Sequence, residues 1–241
     1  MVSKTPFQLS TVCSQLLELG IETTKKSLKR FLKSLGYSYK RARAKITKCD
    51  KEAFKKAKKE IEDFKEKVEK DNSLHLYFFD ESSFSLSPNI PYGWSQKNET
   101  INFEAKRSKA VKVLGFLGLD NKLKYYTTMG STDATFLITV FDDFVANLPK
   151  KSTTIVILDN ASTHTSKLFQ TKIEEWKQKG LILYFLPPYA PELNRIEILW
   201  RFMKYHWIKI SDYASTQTLK NYIHRVLAFY GKNKEFEINF G

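Results

Sequence analysis

Cysteine is nearly absent: the 241 residues hold only two, Cys13 and Cys49, far apart and in unlike contexts. A disulfide framework or a cysteine-based zinc site is therefore disfavoured, and reduced thiols in a cytoplasmic protein are the plain reading. Histidine is scarce as well. His75, His164, His206 and His224 form no H-x-x-H pair, and no C-x-x-C motif accompanies them, so a structural zinc is not expected. No stretch approaches the roughly 20 consecutive apolar residues of a spanning helix. The opening MVSKTPFQLSTVCSQ lacks the continuous apolar region of a signal peptide. Acid is also in deficit, with 26 Asp and Glu against 40 Lys and Arg, for a formal charge of +14. Such an excess calls for a polyanionic partner, and without a membrane segment that partner is expected to be nucleic acid.

What the chain does contain is a core. Its 42% hydrophobic and 14% aromatic content belongs to a globular protein, long enough for one mid-sized domain and a small one. The charge is regional. Between Lys25 and Lys70, 18 basic residues face 7 acidic ones, a net of +11.

Residues 8–45 read as two helices and a turn. Val12, Leu16 and Leu17 make an apolar stripe closed by Gly20. Thr24 then caps a second helix that carries Leu28, Phe31, Leu32 and Leu35 on one face and stops at Gly36. Its other face bears Lys25, Lys26, Lys29, Arg30 and Lys33, and the tract YSYKRARAKITK adds Lys40, Arg41 and Arg43. A short helix, a glycine turn and a basic second helix form the pattern of a helix-turn-helix that binds double-stranded DNA. An ordinary solvated hairpin shares the same spacing. Segment 1–48 is thus expected as a DNA-binding segment. Residues 49–71 are expected as a charged linker helix with a narrow stripe of Phe54, Ile61, Phe64 and Val68.

From Leu74 the period changes. LHLYFFDES, VKVLGFLGL and LKYYTTMG read as antiparallel strands. A helix over 132–147, the doubly buried strand TTIVIL, a helix near 165–178, the strand LILYFLP and a helix over 194–208 follow. Three strands and then alternating helices and strands define an α/β mixed sheet over 72–210, with a C-terminal helix and tail in 211–241.

Two strands are expected to end in an aspartate, LHLYFF at Asp80 and TTIVIL at Asp159. Carboxylates at carboxyl ends of strands sit where ligands bind, although a turn former or helix cap has the same local signature. Side by side, two such carboxylates repel and are held ionised by a divalent cation. A third candidate, Glu197, follows the proline-fixed loop LPPYAPELN. Asn194 and Glu197 also have the spacing of a capping box, which is the rival use of this glutamate.

The ordered motifs FFDES, ILDNASTHTSK and LPPYAPELNRIEILW resemble those of the DDE transposases of the mariner superfamily, closest to the bacterial insertion-sequence-630 branch. VLGFLG and the Gly93–Trp94 pair also fit, and the likeness spans about residues 74–208. Arg195 replaces a proline of the family's Asn-Pro-Ile-Glu, where proline only pre-sets the first helical turn. The resemblance implies an RNase H-like fold and a catalytic, metal-binding triad at Asp80, Asp159 and Glu197. It places Asn160, His164 and Asn194 near the active site, with local hydrogen bonding as the expected use of Asn160 and His164. Glu81 and Glu192 fall outside the implied ligand set. Hard oxygen donors imply two Mg²⁺ or Mn²⁺ ions. The implied activity is cleavage at transposon ends and strand transfer into target DNA, by a homodimer on DNA in the cytoplasm, nucleoid-associated. Two other readings share these residues: an RNase H-like nuclease that cuts without joining, and a truncated relic that only binds DNA. Family members usually carry a further DNA-binding subdomain upstream, so two origins stay open for this chain: the second frame of a frameshifted gene, or a decayed copy.

Overall fold

The computed structural model describes residues 9–36, 50–87 and 109–240. The chain divides into two compact units, Met1–Lys45 and Ile46–Gly241. Lys40, Arg41, Arg43, Gly93 and Trp94 lie outside the described residues.

In the first unit, α1 spans Leu9–Glu18 and α2 spans Lys25–Ser34. The expected cap is in place: the Thr24 hydroxyl accepts from the Ser27 backbone N–H at 3.2 Å. The turn between the helices uses Gly20 at φ 79°, a left-handed conformation suited to glycine. The apolar face of α2 is only partly used. Leu28 is buried, while Phe31 and Leu35 stay exposed. All five basic residues expected on the opposite face, Lys25, Lys26, Lys29, Arg30 and Lys33, are exposed.

The second unit begins with α3, Lys51–Lys70, capped by Asp50, whose carboxylate accepts from the Glu52 and Ala53 backbone N–H groups. This helix does not stand apart as a linker. Ile61 is in the main core, and Phe64 and Val68 pack against it. The Tyr184 hydroxyl donates to Glu60, and the Phe64 and Tyr184 rings meet edge to face at 5.3 Å. The narrow stripe is enough to seat one side of the helix on the sheet, while the other side stays in water.

The sheet has five strands in the order β3-β2-β1-β4-β5. They are β1 (Leu74–Phe84), β2 (Val111–Gly118), β3 (Leu123–Thr128), β4 (Thr153–Leu158) and β5 (Leu181–Phe185). β1, β2 and β3 pair antiparallel, and β4 pairs parallel with both β1 and β5. Asn121 at φ 67° turns the β2–β3 hairpin, a conformation asparagine tolerates. The helices are α4 (Ala134–Ala146), α5 (Lys167–Gln178), α6 (Ile196–Phe202) and α7 (Thr216–Phe229). A single π-type turn, Met203–Trp207, extends α6.

Each sheet face has its own core. On one face α4 and α5 cover Phe79, Phe116, Val156 and Leu158, with Phe116 and Phe144 stacked at 3.9 Å. On the other, Leu76, Phe78, Ile155 and Ile157 meet Ile61 of α3, Trp200 of α6 and Ile223 of α7. Strand alternation assigns these sets, since successive side chains point to opposite faces. The tail after α7 folds back: Asn121 Nδ2 donates to the Ile238 carbonyl, and Tyr230 donates to Asn121. Among the described residues no helix is long and apolar enough to cross a membrane.

Candidate active site

The parallel pair β1–β4 sets the site. Its last paired couple is Phe78 and Ile157, so Asp80 and Asp159 each stand two residues further on, at matching heights. Asp159 directly follows its strand, as the sequence suggests. Asp80 does not end β1, which runs on to Phe84 because its other edge stays paired with β2. The aspartate thus lies at the carboxyl end of the parallel portion alone, a distinction the apolar run could not reveal.

Glu197 reaches the same place from α6. A cavity of about 440 Å³ is lined by Asp80, Asp159 and Glu197, with Asn160, Asn194 and the loop Leu186–Pro191 completing its wall. The capping box is not formed. Asn194 is buried and its Nδ2 donates across the fold to the Phe79 carbonyl at 2.9 Å, while α6 begins without any side-chain cap. Asn194 therefore ties the start of α6 to the residue before Asp80. Glu192 is exposed.

Each aspartate has a protein donor. Trp200, one helical turn beyond Glu197, donates its indole N–H to Asp80 Oδ2 at 3.0 Å. Gly115, the partner of Asp80 across β1–β2, makes room for it. A Cβ there would stand 2.8 Å from Ile196 Cδ1 and 2.9 Å from Trp200 Cη2. Asp159 accepts from the Ala161 backbone N–H at 3.1 Å, and its Oδ1 lies 2.8 Å from Nδ1 of buried His164. His164 Nε2 points toward Glu81 at 3.8 Å, an ion-pair distance rather than a hydrogen bond. Asn160 spans to the β5 end, its Nδ2 donating to the Leu186 carbonyl.

The electrostatics follow from this crowding. Burial first, then the charges of Glu197 and Asp159, push the Asp80 carboxyl up to about 7, against the opposing hydrogen bonds from the Glu81 backbone and Trp200. Glu197 is also raised, chiefly by burial, with Lys204 opposing and Asp159 adding to the shift. Asp159 is lowered because His164 hydrogen-bonds it. For His164, burial alone would favour the neutral ring, but the carboxylates of Asp159 and Glu81 outweigh it and hold the imidazolium up to about 9.

Among the described residues no three acidic, histidine or cysteine side chains already gather as a closed ligand cluster. Asp80 and Asp159 are turned to Trp200 and His164. The donor set nevertheless fits a hard divalent ion. Three carboxylates line one cavity, and the buried Asn194 Oδ1 has no hydrogen-bond partner. The raised Asp80 is the charge such an ion would relieve.

Trp200 and Gly115 were not singled out by sequence reasoning. Their signals were an indole three residues after Glu197, hence on the same helix face, and a glycine interrupting the apolar run of β2, which marks close approach of a neighbour.

A mixed five-stranded sheet with helices on both faces, and carboxylates where its central parallel pairing ends, has the arrangement of an RNase H-like fold. The family described as DDE superfamily endonuclease matches residues 75–220, well over half of the sequence, and the chain belongs to that family. A winged helix-turn-helix family matches residues 16–66 and so runs on into α3. The fold is similar to that of Mos1 transposase in its paired-end complex with the left transposon end, with a TM-score of 0.57 and 15% identity over 98% of this chain and 75% of that one. The Mos1 mariner paired-end complex with Mn gives a TM-score of 0.55 at 14% identity over the same shares. Among curated proteins, 55 residues are 42% identical to the uncharacterized protein y4pE/y4sA of Sinorhizobium fredii (strain NBRC 101917 / NGR234). That stretch is 22% of this chain and 36% of the relative, so the chain spans about a third of the relative's length.

Proposed function

We propose that the chain is a transposase that cleaves DNA at transposon ends and joins the freed end to target DNA. The observation that carries this is the shared cavity of Asp80, Asp159 and Glu197, two from adjacent parallel strands and one from α6. These residues are assigned as the catalytic, metal-holding triad, and two Mg²⁺ or Mn²⁺ ions as the cofactor. Bound divalent ions activate an attacking oxygen and stabilise charge on the leaving one.

The chain's own side chains prepare that chemistry. Asn194 and Trp200 fix α6 and Asp80 to each other, and His164 holds one Asp159 oxygen in a defined direction. In cleavage, water attacks the phosphorus and the DNA 3′-oxygen departs. In joining, the freed 3′-hydroxyl attacks a target phosphodiester and a second 3′-oxygen departs. One cavity serves both displacements, and no enzyme-linked intermediate is required. The helix-turn-helix supplies duplex binding through Lys25, Lys26, Lys29, Arg30 and Lys33, with Lys40, Arg41 and Arg43 belonging to the same basic tract. Joining needs two ends held together, which supports a homodimer on DNA. The insertion-sequence-630 branch and a nucleoid-associated cytoplasmic location are parts of the same proposal.

The test is a strand-transfer assay with a labelled pre-cut end and a plasmid target in Mn²⁺. Joined product supports a transposase, whereas cleavage without joining supports a nuclease. DNA binding with neither reaction supports a relic that only binds DNA.

A further inference from the structure

Besides the carboxylates, the cavity is lined by Leu186–Pro191. Both ends of this loop are anchored. The Leu186 N–H donates to the Leu158 carbonyl at 2.8 Å, and the Ala190 carbonyl accepts from Leu193 N–H at 3.1 Å. Leu186 and Ala190 are buried, while Tyr189 between them is 52% exposed. Its backbone lies at φ 61°, a left-handed conformation that costs a bulky L-residue about 1–2 kcal/mol. Glycine or asparagine would make the same turn at less cost.

Tyr126, Tyr184, Tyr222 and Tyr230 each donate their hydroxyl to a protein acceptor. Among the described residues Tyr189, like Tyr125, Tyr205 and Tyr213, has no such partner and meets no other ring or cation, but of these four Tyr189 alone lines the cavity and lies at positive φ. A strained, unpartnered aromatic on the rim of a polar cavity is the signature of a contact completed by a ligand.

We propose that Tyr189 is a stacking platform for an unpaired nucleobase beside the phosphate held at Asp80, Asp159 and Glu197. The inference rests on the reading of that cavity as a DNA-cutting site. A strand that bends into the cavity unstacks the base beside its reacting phosphate, and that base then lacks a π-face to lie against. An aromatic face at the rim replaces the lost stacking for any of the four bases, so the contact positions without selecting sequence.

The test uses the full chain and a duplex with a two-nucleotide TA 3′ overhang, 2-aminopurine replacing the adenine, in Ca²⁺. Stacking on the ring is expected to quench the probe. Tyr189→Phe should quench equally. Tyr189→Asn, which suits the left-handed backbone, should fold as well as the parent yet leave the probe bright. It should also bind the overhang about tenfold more weakly and keep its affinity for a blunt duplex. Tyr189→Leu, bulky but without a π-face, should match Tyr189→Asn. Quenching by the Asn or Leu variant equal to the parent's overturns the stacking role, as does a parent that leaves the probe bright. A parent that neither binds nor cuts DNA in Mn²⁺ sinks the reading of the site itself.

Discussion

Trp200 donates its indole N–H to Asp80 across the fold, and the bond exists because Gly115 lacks a side chain. Gly115 is the strand partner of Asp80 on β2, so the residue that lets α6 approach sits beside the carboxylate that α6 then orients. A methyl group at Gly115 would overlap Ile196 and Trp200, whose side chains are closely packed.

Gly115→Ala is therefore expected to destabilise the fold by about 1–3 kcal/mol, the usual cost of overpacking. Trp200→Phe should keep most of the packing and lose only the N–H. Its expected signature is a roughly tenfold weaker Mn²⁺ affinity, as for other groups that orient a metal ligand, with a smaller loss of stability. Urea melts and calorimetric titration with Mn²⁺ separate the two effects. Unchanged Mn²⁺ affinity in Trp200→Phe would reduce the indole to a packing element.

Asp159→Ala should abolish cleavage and joining while duplex binding persists, since the basic face of α2 is untouched. Glu197→Ala should do the same and leave the melting temperature nearly unchanged, because α6 has no side-chain cap to lose. A drop worth about 1 kcal/mol would instead mark a lost capping interaction. Gel-shift, cleavage and melting measurements on the same preparations decide between the outcomes.

Activity should require Mg²⁺ or Mn²⁺, cease in EDTA, and stop at binding with Ca²⁺, whose longer coordination misplaces the reacting oxygens. The pH dependence has a definite sign. Asp80 is raised from 3.8 to about 7 in the folded chain, so the folded state holds a proton that the unfolded chain releases. The stability this group contributes is full below about pH 4 and is lost as pH rises through about 7. Metal-free protein should thus lose stability across that window, and Asp80→Asn should flatten the loss. Bound Mn²⁺ must displace the proton, so the melting shift it produces should grow from about pH 5.5 to about pH 8. A Mn²⁺ shift independent of pH would count against Asp80 as a ligand.

The elements were legible where one local rule dominates. The doubly buried TTIVIL run, the Thr24 cap and the Gly20 turn emerge as written. The matched height of Asp80 and Asp159 was not legible, because it rests on the parallel pairing of β1 with β4, which no local run of residues announces. What stayed hidden needed a second strand or helix. Whether β1 stops at Asp80 depends on β2, which keeps pairing through Phe84. The Asn194–Glu197 spacing suits a cap, but Asn194 is drawn to the Phe79 carbonyl, 115 residues away in sequence. The seating of α3 depends on Tyr184 and the core it meets. Arg195, expected merely to be tolerated, donates to the Leu119 carbonyl at the β2–β3 turn and stacks 3.9 Å over Phe240.

The last expectation concerns the helix-turn-helix. Lys25, Lys26, Lys29, Arg30 and Lys33 are all exposed on α2, and among the described residues none has an acidic partner. Charges left free in this way meet phosphates rather than base edges, so affinity for duplex DNA should fall steeply with salt. The log–log slope should be about 0.9 for each phosphate neutralised. Replacing Lys25, Lys29 and Lys33 together by alanine should lower that slope by roughly 3 and weaken all sequences alike, since phosphate contacts carry no sequence information. Leu28, which is buried and holds α2 in place, is left intact, so the helix should persist by circular dichroism. The measurement is a titration of parent and triple variant against two unrelated duplexes at several salt concentrations. An unchanged slope would move the DNA contact away from this face of α2. A loss confined to one duplex would make the lysines readers of sequence rather than of charge.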